Sequence, residues 1–247
     1  MSEYMSIFVG EFIGTLLLIL LGNGSVANVL LKRSKGERGG WIVITAGWAF
    51  AVTIAVYAVG WISGAHLNPA VTFGFWIAGK TAALEVPFYV GGQFLGAMIG
   101  AWLVWITYLP HWAVTEEARI KLVCFCTSPE IRSPLSNFVT EVIATAVLVM
   151  GVLGIFNVHN GIGPGVGAFA VGILIFSIGL SLGGPTGFAI NPARDLGPRI
   201  MHAWIPIPGK GSSEWGYAWI PVAGPLAGAL LGALGYLFLI APLSPLN

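Results

Sequence analysis

The sequence predicts an all-α membrane protein with six transmembrane helices plus two re-entrant half-helices in an inverted repeat. Three observations carry that expectation: the composition, the lengths of the apolar stretches, and one set of motifs that recurs in both halves of the chain. Of 247 residues, 56% are hydrophobic and 9% are charged, with a mean hydropathy of +0.86. An ordinary soluble domain has about 25% charged residues, so the surface of this chain is expected to face a lipid bilayer.

Six stretches, 7–31, 41–62, 86–109, 138–156, 166–182 and 217–240, approach the ~20 apolar residues that a helix needs to cross hydrocarbon. The first has no basic leader and no small-residue cleavage site, so it is expected to stay in the mature chain. Two shorter apolar pieces, 69–78 and 192–201, each begin at a proline, Pro69 or Pro192, the residue best suited to the first helical position. Each reads as a half-helix.

The motifs return in order. Phe8-Val9-x-Glu11-x-Ile13-x-Thr15 reappears as Phe138-Val139-x-Glu141-x-Ile143-x-Thr145, and Gly64-x-x-x-Asn68-Pro69-Ala70 as Gly187-x-x-x-Asn191-Pro192-Ala193. Gly92-x-x-x-Gly96-x-x-x-Gly100 reappears as Gly224-x-x-x-Gly228-x-x-x-Gly232, a spacing that lets membrane helices approach closely. This is a single domain of residues 1–247 built from repeats of approximately 1–125 and 126–247. Each copy has an odd number of spans, so the second enters the membrane from the opposite side. The half-helices then dip in from opposite faces and meet tip to tip. Irregular backbone at that depth is tolerated where it lines a watery cavity, so segments 63–67 and 183–190 are expected to line one.

Other function classes find little support. A net charge of +1 without any basic run excludes a nucleic-acid face. Cys124 and Cys126 stand one residue apart in a polar stretch, too few and too close for a disulfide framework or a metal site, and read as incidental. His111, His159 and His202 have no Cys or carboxylate at ligand spacing, so no metal and no cofactor are expected. No nucleophile has a general base at usable spacing, which argues against an enzyme.

What remains is a path for neutral solutes. Asn68 and Asn191 are favoured N-caps, and each half-helix presents roughly half a positive charge at its tip. A cation there loses its water and meets a positive potential, whereas a hydroxyl can accept from an Asn amide. Backbone carbonyls of Gly64, Ala65 and His66, and of Gly187, Phe188 and Ala189, are the expected acceptors. Glu11 and Glu141 lie inside spans, where a carboxylate is costly. They either couple protons in an active transporter or brace the irregular segments through backbone N–H groups.

The twin Asn-Pro-Ala motifs, each heading a short apolar segment in matching repeats, resemble the aquaporin superfamily over essentially the whole chain. Pro69, Ala70, Pro192 and Ala193 are supporting positions of that motif. The resemblance implies a constriction built from Trp48, Gly179, Phe188 and Arg194, with His66 lining the pore and bracing its loop. Arg194 offers fixed donors and a permanent charge; the alternative is a structural ion pair with Asp195. Gly179 and Phe188 stand where water-selective members carry histidine and a smaller residue, and Asp195 resembles the glycerol-conducting branch.

By resemblance, then, the chain is a passive channel for glycerol, water and other small uncharged solutes. It is expected to be a homotetramer in the plasma membrane with cytoplasmic termini. A water-selective pore and an ion-coupled secondary transporter are the alternatives. The charges oppose the expected orientation: Lys32, Arg33, Lys35, Arg38, Arg119, Lys121, Arg132 and Lys210 would lie outside and only Lys80 inside, the reverse of the positive-inside rule. The 108–137 loop is placed over the mouth, with its conformation left open.

Overall fold

The computed structural model describes residues 2–243, and among them the regular structure is helical throughout. In chain order the α-helices are α1 (Glu3–Leu30), α2 (Trp41–Ser63), α3 (Pro69–Ile77), α4 (Val86–Thr107), α5 (Leu109–Val114), α6 (Ala118–Val123), α7 (Pro134–Ile155), α8 (Val166–Ser181), α9 (Pro192–Trp204) and α10 (Ile220–Gly235). A π-helical turn, Tyr236–Ile240, continues α10. Five elements, α1, α2, α4, α7 and α10 with its continuation, are long and apolar enough to cross a membrane. The sixth span, α8, is equally apolar but has only 16 residues, about 24 Å at the α-helical rise. Gly165, in the left-handed conformation, fixes its start.

Packing follows the repeat. In each half the first long helix contacts the second and the last: α1 meets α2 and α4, and α7 meets α8 and α10. The glycine ladders explain the closest pairs. A Cβ on Gly92, Gly96 or Gly100 would run into the main chain of Phe8, Phe12 or Leu16, and one on Gly228 or Gly232 into that of Val142 or Ala146. Between the halves α2 packs on α8, and the half-helices cross over: α3 lies against α10 and α9 against α4. The two repeats are therefore interlocked.

The 108–137 region, expected as a loop over the mouth, forms α5 and α6 and then turns inward on the Arg194 side. Asn23 Nδ2 donates to the Phe125 carbonyl at 2.9 Å, and Thr127 bonds the Asp195 carboxylate. This inward turn corrects the reading of Cys124 and Cys126 as part of a polar stretch: both thiols are free and fully buried, because residues 124–128 fold into the molecule.

Candidate functional site

The site is built around the two half-helix tips. Asn68 and Asn191 sit at the N-caps of α3 and α9 in extended conformation, with a proline next in each case. The Asn68 Oδ1 accepts from the Ala70 N–H at 2.8 Å. The Asn191 Oδ1 accepts from Ala193 and Arg194 N–H at 3.0 and 3.1 Å. Each amide nitrogen then reaches across the pseudo-twofold: Asn68 Nδ2 to the Ile190 carbonyl at 2.7 Å, and Asn191 Nδ2 to the Leu67 carbonyl at 2.8 Å. The tips are thus bonded reciprocally. With Oδ1 spent on the cap and one N–H on the opposite loop, each Asn has a single N–H left for a passing molecule.

The segments leading into the caps have unusual backbones. Gly64, Ala65 and Leu67 in one half, and Gly187, Phe188 and Ile190 in the other, have φ between 38° and 84°. For residues with a Cβ this region costs roughly 1–2 kcal/mol each. Buried carboxylates hold both segments. Glu11 accepts from Ser63 Oγ at 2.7 Å, His66 N at 2.9 Å, Leu67 N at 2.7 Å and Gln93 Nε2 at 2.7 Å. Glu141 accepts from Thr186 Oγ1 at 2.6 Å, Ala189 N at 3.0 Å and Ile190 N at 2.8 Å. Hydrogen bonds to charged groups are worth about 1.5–3 kcal/mol each, enough to offset the strain. Neither carboxylate borders the cavity, and both have zero exposure.

The strain buys a row of acceptors. Among the described residues no protein group donates to the carbonyls of Gly64, Ala65, His66, Gly187, Phe188 or Ala189, while the adjoining Ser63, Leu67 and Ile190 carbonyls are occupied. His66 stacks on Tyr89, with ring centroids 4.1 Å apart, and its Nδ1 lies 3.2 Å from Thr72 Oγ1. The Thr72 hydroxyl already donates to the Asn68 carbonyl and accepts from Gln93 Nε2. That assigns the proton to His66 Nδ1 and leaves Nε2 as an acceptor.

A cavity of about 720 Å³ connects these parts. At one end lie the exposed Trp61 and Lys80; at the other it stops against Trp48, Phe188 and Arg194. One wall is apolar, with Leu18, Val52, Val56, Leu148, Val152, Val171 and Ile175, and the other carries residues 64–68 and 188–191. The Arg194 guanidinium carbon lies 4.1 Å from the centre of the Trp48 ring, and its buried Nη1 has no hydrogen-bond partner among the described residues. Gly179 and Gly187 stand behind this wall. A Cβ on Gly179 would come within 2.8 Å of Thr45 Cγ2 and 3.1 Å of Phe188 Cζ, so the Phe188 ring occupies the room that the glycine leaves.

Asp195 does not pair with Arg194. Its carboxylate accepts from Arg199 Nε at 2.8 Å, from Thr127 N at 2.7 Å and from Thr127 Oγ1 at 2.6 Å, and Arg199 donates further to the Thr127 and Ser213 carbonyls. Neighbours in sequence diverge around a helix, whereas residues four apart share a face, which turns Arg194 to the cavity and Arg199 to the carboxylate. Arg199, Thr127, Tyr89 and Gln93 were not singled out from the sequence. A charge at membrane depth four residues after Asp195 was the available signal for Arg199. The other three act through bonds between distant segments, which sequence spacing does not reveal.

Paired half-helices joined at capping asparagines, and an amphipathic passage between them, define a membrane protein of the aquaporin fold. The chain belongs to the major intrinsic protein family, whose model matches residues 2–236. It is 56% identical over 232 residues to a probable glycerol uptake facilitator protein of Thermotoga maritima, covering 94% of this chain and 98% of the relative. It is 52% identical over 232 residues to the glycerol uptake facilitator protein of Bacillus subtilis, covering 94% and 84%. The X-ray structure of the aquaglyceroporin from Plasmodium falciparum superposes with a TM-score of 0.86 at 31% identity, covering 97% of this chain and 98% of that one.

Proposed function

We propose that residues 1–247 form one channel domain, with repeats of approximately 1–125 and 126–247, that passes glycerol, water and other small uncharged solutes down their gradients. The observation that carries this reading is the end of the cavity, where Arg194 lines the passage together with Trp48 and Phe188. A polyol has hydroxyls on one side and a carbon backbone on the other. The hydroxyls meet Arg194, the remaining Asn68 and Asn191 N–H groups and the row of free carbonyls; the carbons slide on the aromatic and aliphatic wall. The names of the relatives at 52% and 56% identity support the same solute class.

Ions are turned away by electrostatics. Two helix tips, each with roughly half a positive charge, and the Arg194 guanidinium stand where a cation would be stripped of water. Proton relay fails for a related reason: at the tips each Asn offers only a donor, so a water there accepts from both and cannot pass a proton onward along the file. The lipid bilayer is the medium, and the assembly is a homotetramer in the plasma membrane with cytoplasmic termini.

Proteoliposomes in a glycerol gradient test this by light scattering. Glycerol permeability clearly above that of empty vesicles is expected. Permeability equal to empty vesicles ends the proposal. Accumulation against a gradient that collapses with the proton or sodium gradient would move the chain to the ion-coupled carriers.

A further inference from the structure

The two repeats differ where one of them should put a side chain into the passage. Phe8 and Glu11 of α1 match Phe138 and Glu141 of α7, an offset of 130. That offset pairs Leu18 with Leu148, both on the cavity wall, and one turn later pairs Gly22 with Val152. Val152 borders the cavity and Gly22 does not. For α2 and α8, the match of Gly64 with Gly187 sets an offset of 123, which pairs Trp48 with Val171. One half therefore has two valines side by side; the other has a glycine and a tryptophan.

The geometry shows how the second pair fits. A Cβ built on Gly22 would fall within 2.7 Å of Trp48 Cη2 and closer still to Cε3 and Cζ3. Close approach to three consecutive ring atoms puts that Cβ over the ring face, since an atom at the ring edge would meet two. Arg194 Cζ, 4.1 Å from the ring centre, also lies over a face. No Arg194 atom is among the three nearest to that Cβ, which is consistent with a ring held between the Gly22 backbone and the guanidinium. Trp48 is 3% exposed and has no slack.

We infer that Gly22 is a specificity-determining positioning residue: its missing side chain sets how far Trp48 withdraws from the passage, and so the gap between Trp48 and Arg194. The inference rests on the proposed role of those two residues in selecting solutes. A methyl at this position drives the ring toward Arg194. A three-carbon polyol needs the full width and loses more than water does.

The test measures glycerol and water permeability in the same vesicles for the wild type, G22A, G24A, W48F and the G22A/W48F double variant. A Cβ on Gly24 meets nothing within 4 Å, which makes G24A the control for added helix propensity. G22A is expected to lower glycerol permeability on the order of tenfold, the scale of one methylene in a fitted pocket, with a smaller loss for water. G24A should match the wild type. In the W48F background, where the outer part of the ring is gone, G22A should have little effect. An unchanged glycerol-to-water ratio in G22A, or an equal glycerol loss in the W48F background, overturns the inference. If G22A alone does not assemble, assembly restored in the double variant supports the contact, and a double variant that also fails refutes it. A wild type without glycerol flux removes the channel proposal and this inference together, whereas an active wild type beside an unaltered G22A removes only this one.

Discussion

Replacing Asp195 by Asn tests how the second half-helix, α9, is held. Asp195 and Arg199 have zero side-chain exposure, with Nη2 2.8 Å from Oδ1, and the carboxylate also takes both Thr127 donors. An asparagine keeps one acceptor oxygen but turns an NH2 toward either the guanidinium or the Thr127 N–H, and it leaves Arg199 buried without its counter-charge. Breaking a buried pair in this way costs about 3–5 kcal/mol. For a chain of this length about 1 kcal/mol moves the midpoint by roughly 2–4 °C, so D195N should unfold on the order of 10 °C below the wild type. The assay is thermal unfolding of the purified protein in detergent, followed by circular dichroism. The double variant Asp195→Leu with Arg199→Met removes both charges and should recover part of the loss, because no buried charge is left without a counter-charge, while the Thr127 donors and the Thr127 and Ser213 carbonyls still lose their partners. A D195N midpoint within about 2 °C of the wild type, less than about 1 kcal/mol on that scale, would refute the reasoning. So would a double variant no more stable than the single one.

Three further outcomes follow from the same contacts. Glu141→Gln puts an amide donor against Ala189 or Ile190 N–H; losing such a bond costs about 1–3 kcal/mol and frees a strained segment, so glycerol flux in vesicles should fall while protein yield is retained, and unchanged flux would count against a bracing role. Gly179→His must displace Phe188 and Thr45; glycerol permeability should fall more than water permeability, and equal losses would remove Gly179 from the selecting set. Lys210→Met removes an ammonium that donates to the His202, Ala203 and Ile205 carbonyls at the C-terminal end of α9. Charge at a helix C-terminus contributes up to about 2 kcal/mol, so the unfolding midpoint should drop by a few degrees with the solute ratio unchanged, and a shifted ratio would show that Lys210 also shapes the passage.

Local chemistry made part of this molecule legible from its sequence. The starts of the half-helices were readable because Asn followed by Pro specifies a capped first turn, and Pro69 and Pro192 are the first residues of α3 and α9. Their ends were less so. α9 runs to Trp204, beyond the expected 201, because Lys210, from a later loop, satisfies its last carbonyls. The last span was expected from 217, but Tyr217 lies in a turn and α10 begins at Ile220, with Pro221 in its first turn. At the candidate site, Trp48, Phe188 and Arg194 were named from the resemblance to the aquaporin superfamily and all three line the cavity. Partners such as Thr127, Tyr89 and Gln93 come from other segments and carry no pattern of their own. Gly22 is the extreme case, since what a glycine does there depends entirely on the ring that another helix brings against it.

The backbone contacts of α1 with α4 and of α7 with α10 bear on how such a molecule can move. Each glycine rung seats one helix against the main chain of its neighbour, as the teeth of a rack sit in a gear. Sliding either helix by one turn would lift every rung out together, with no soft side chains between to take up the displacement. Those two helix pairs are therefore locked against sliding once the chain has folded, and a valve would have to work through some other movement.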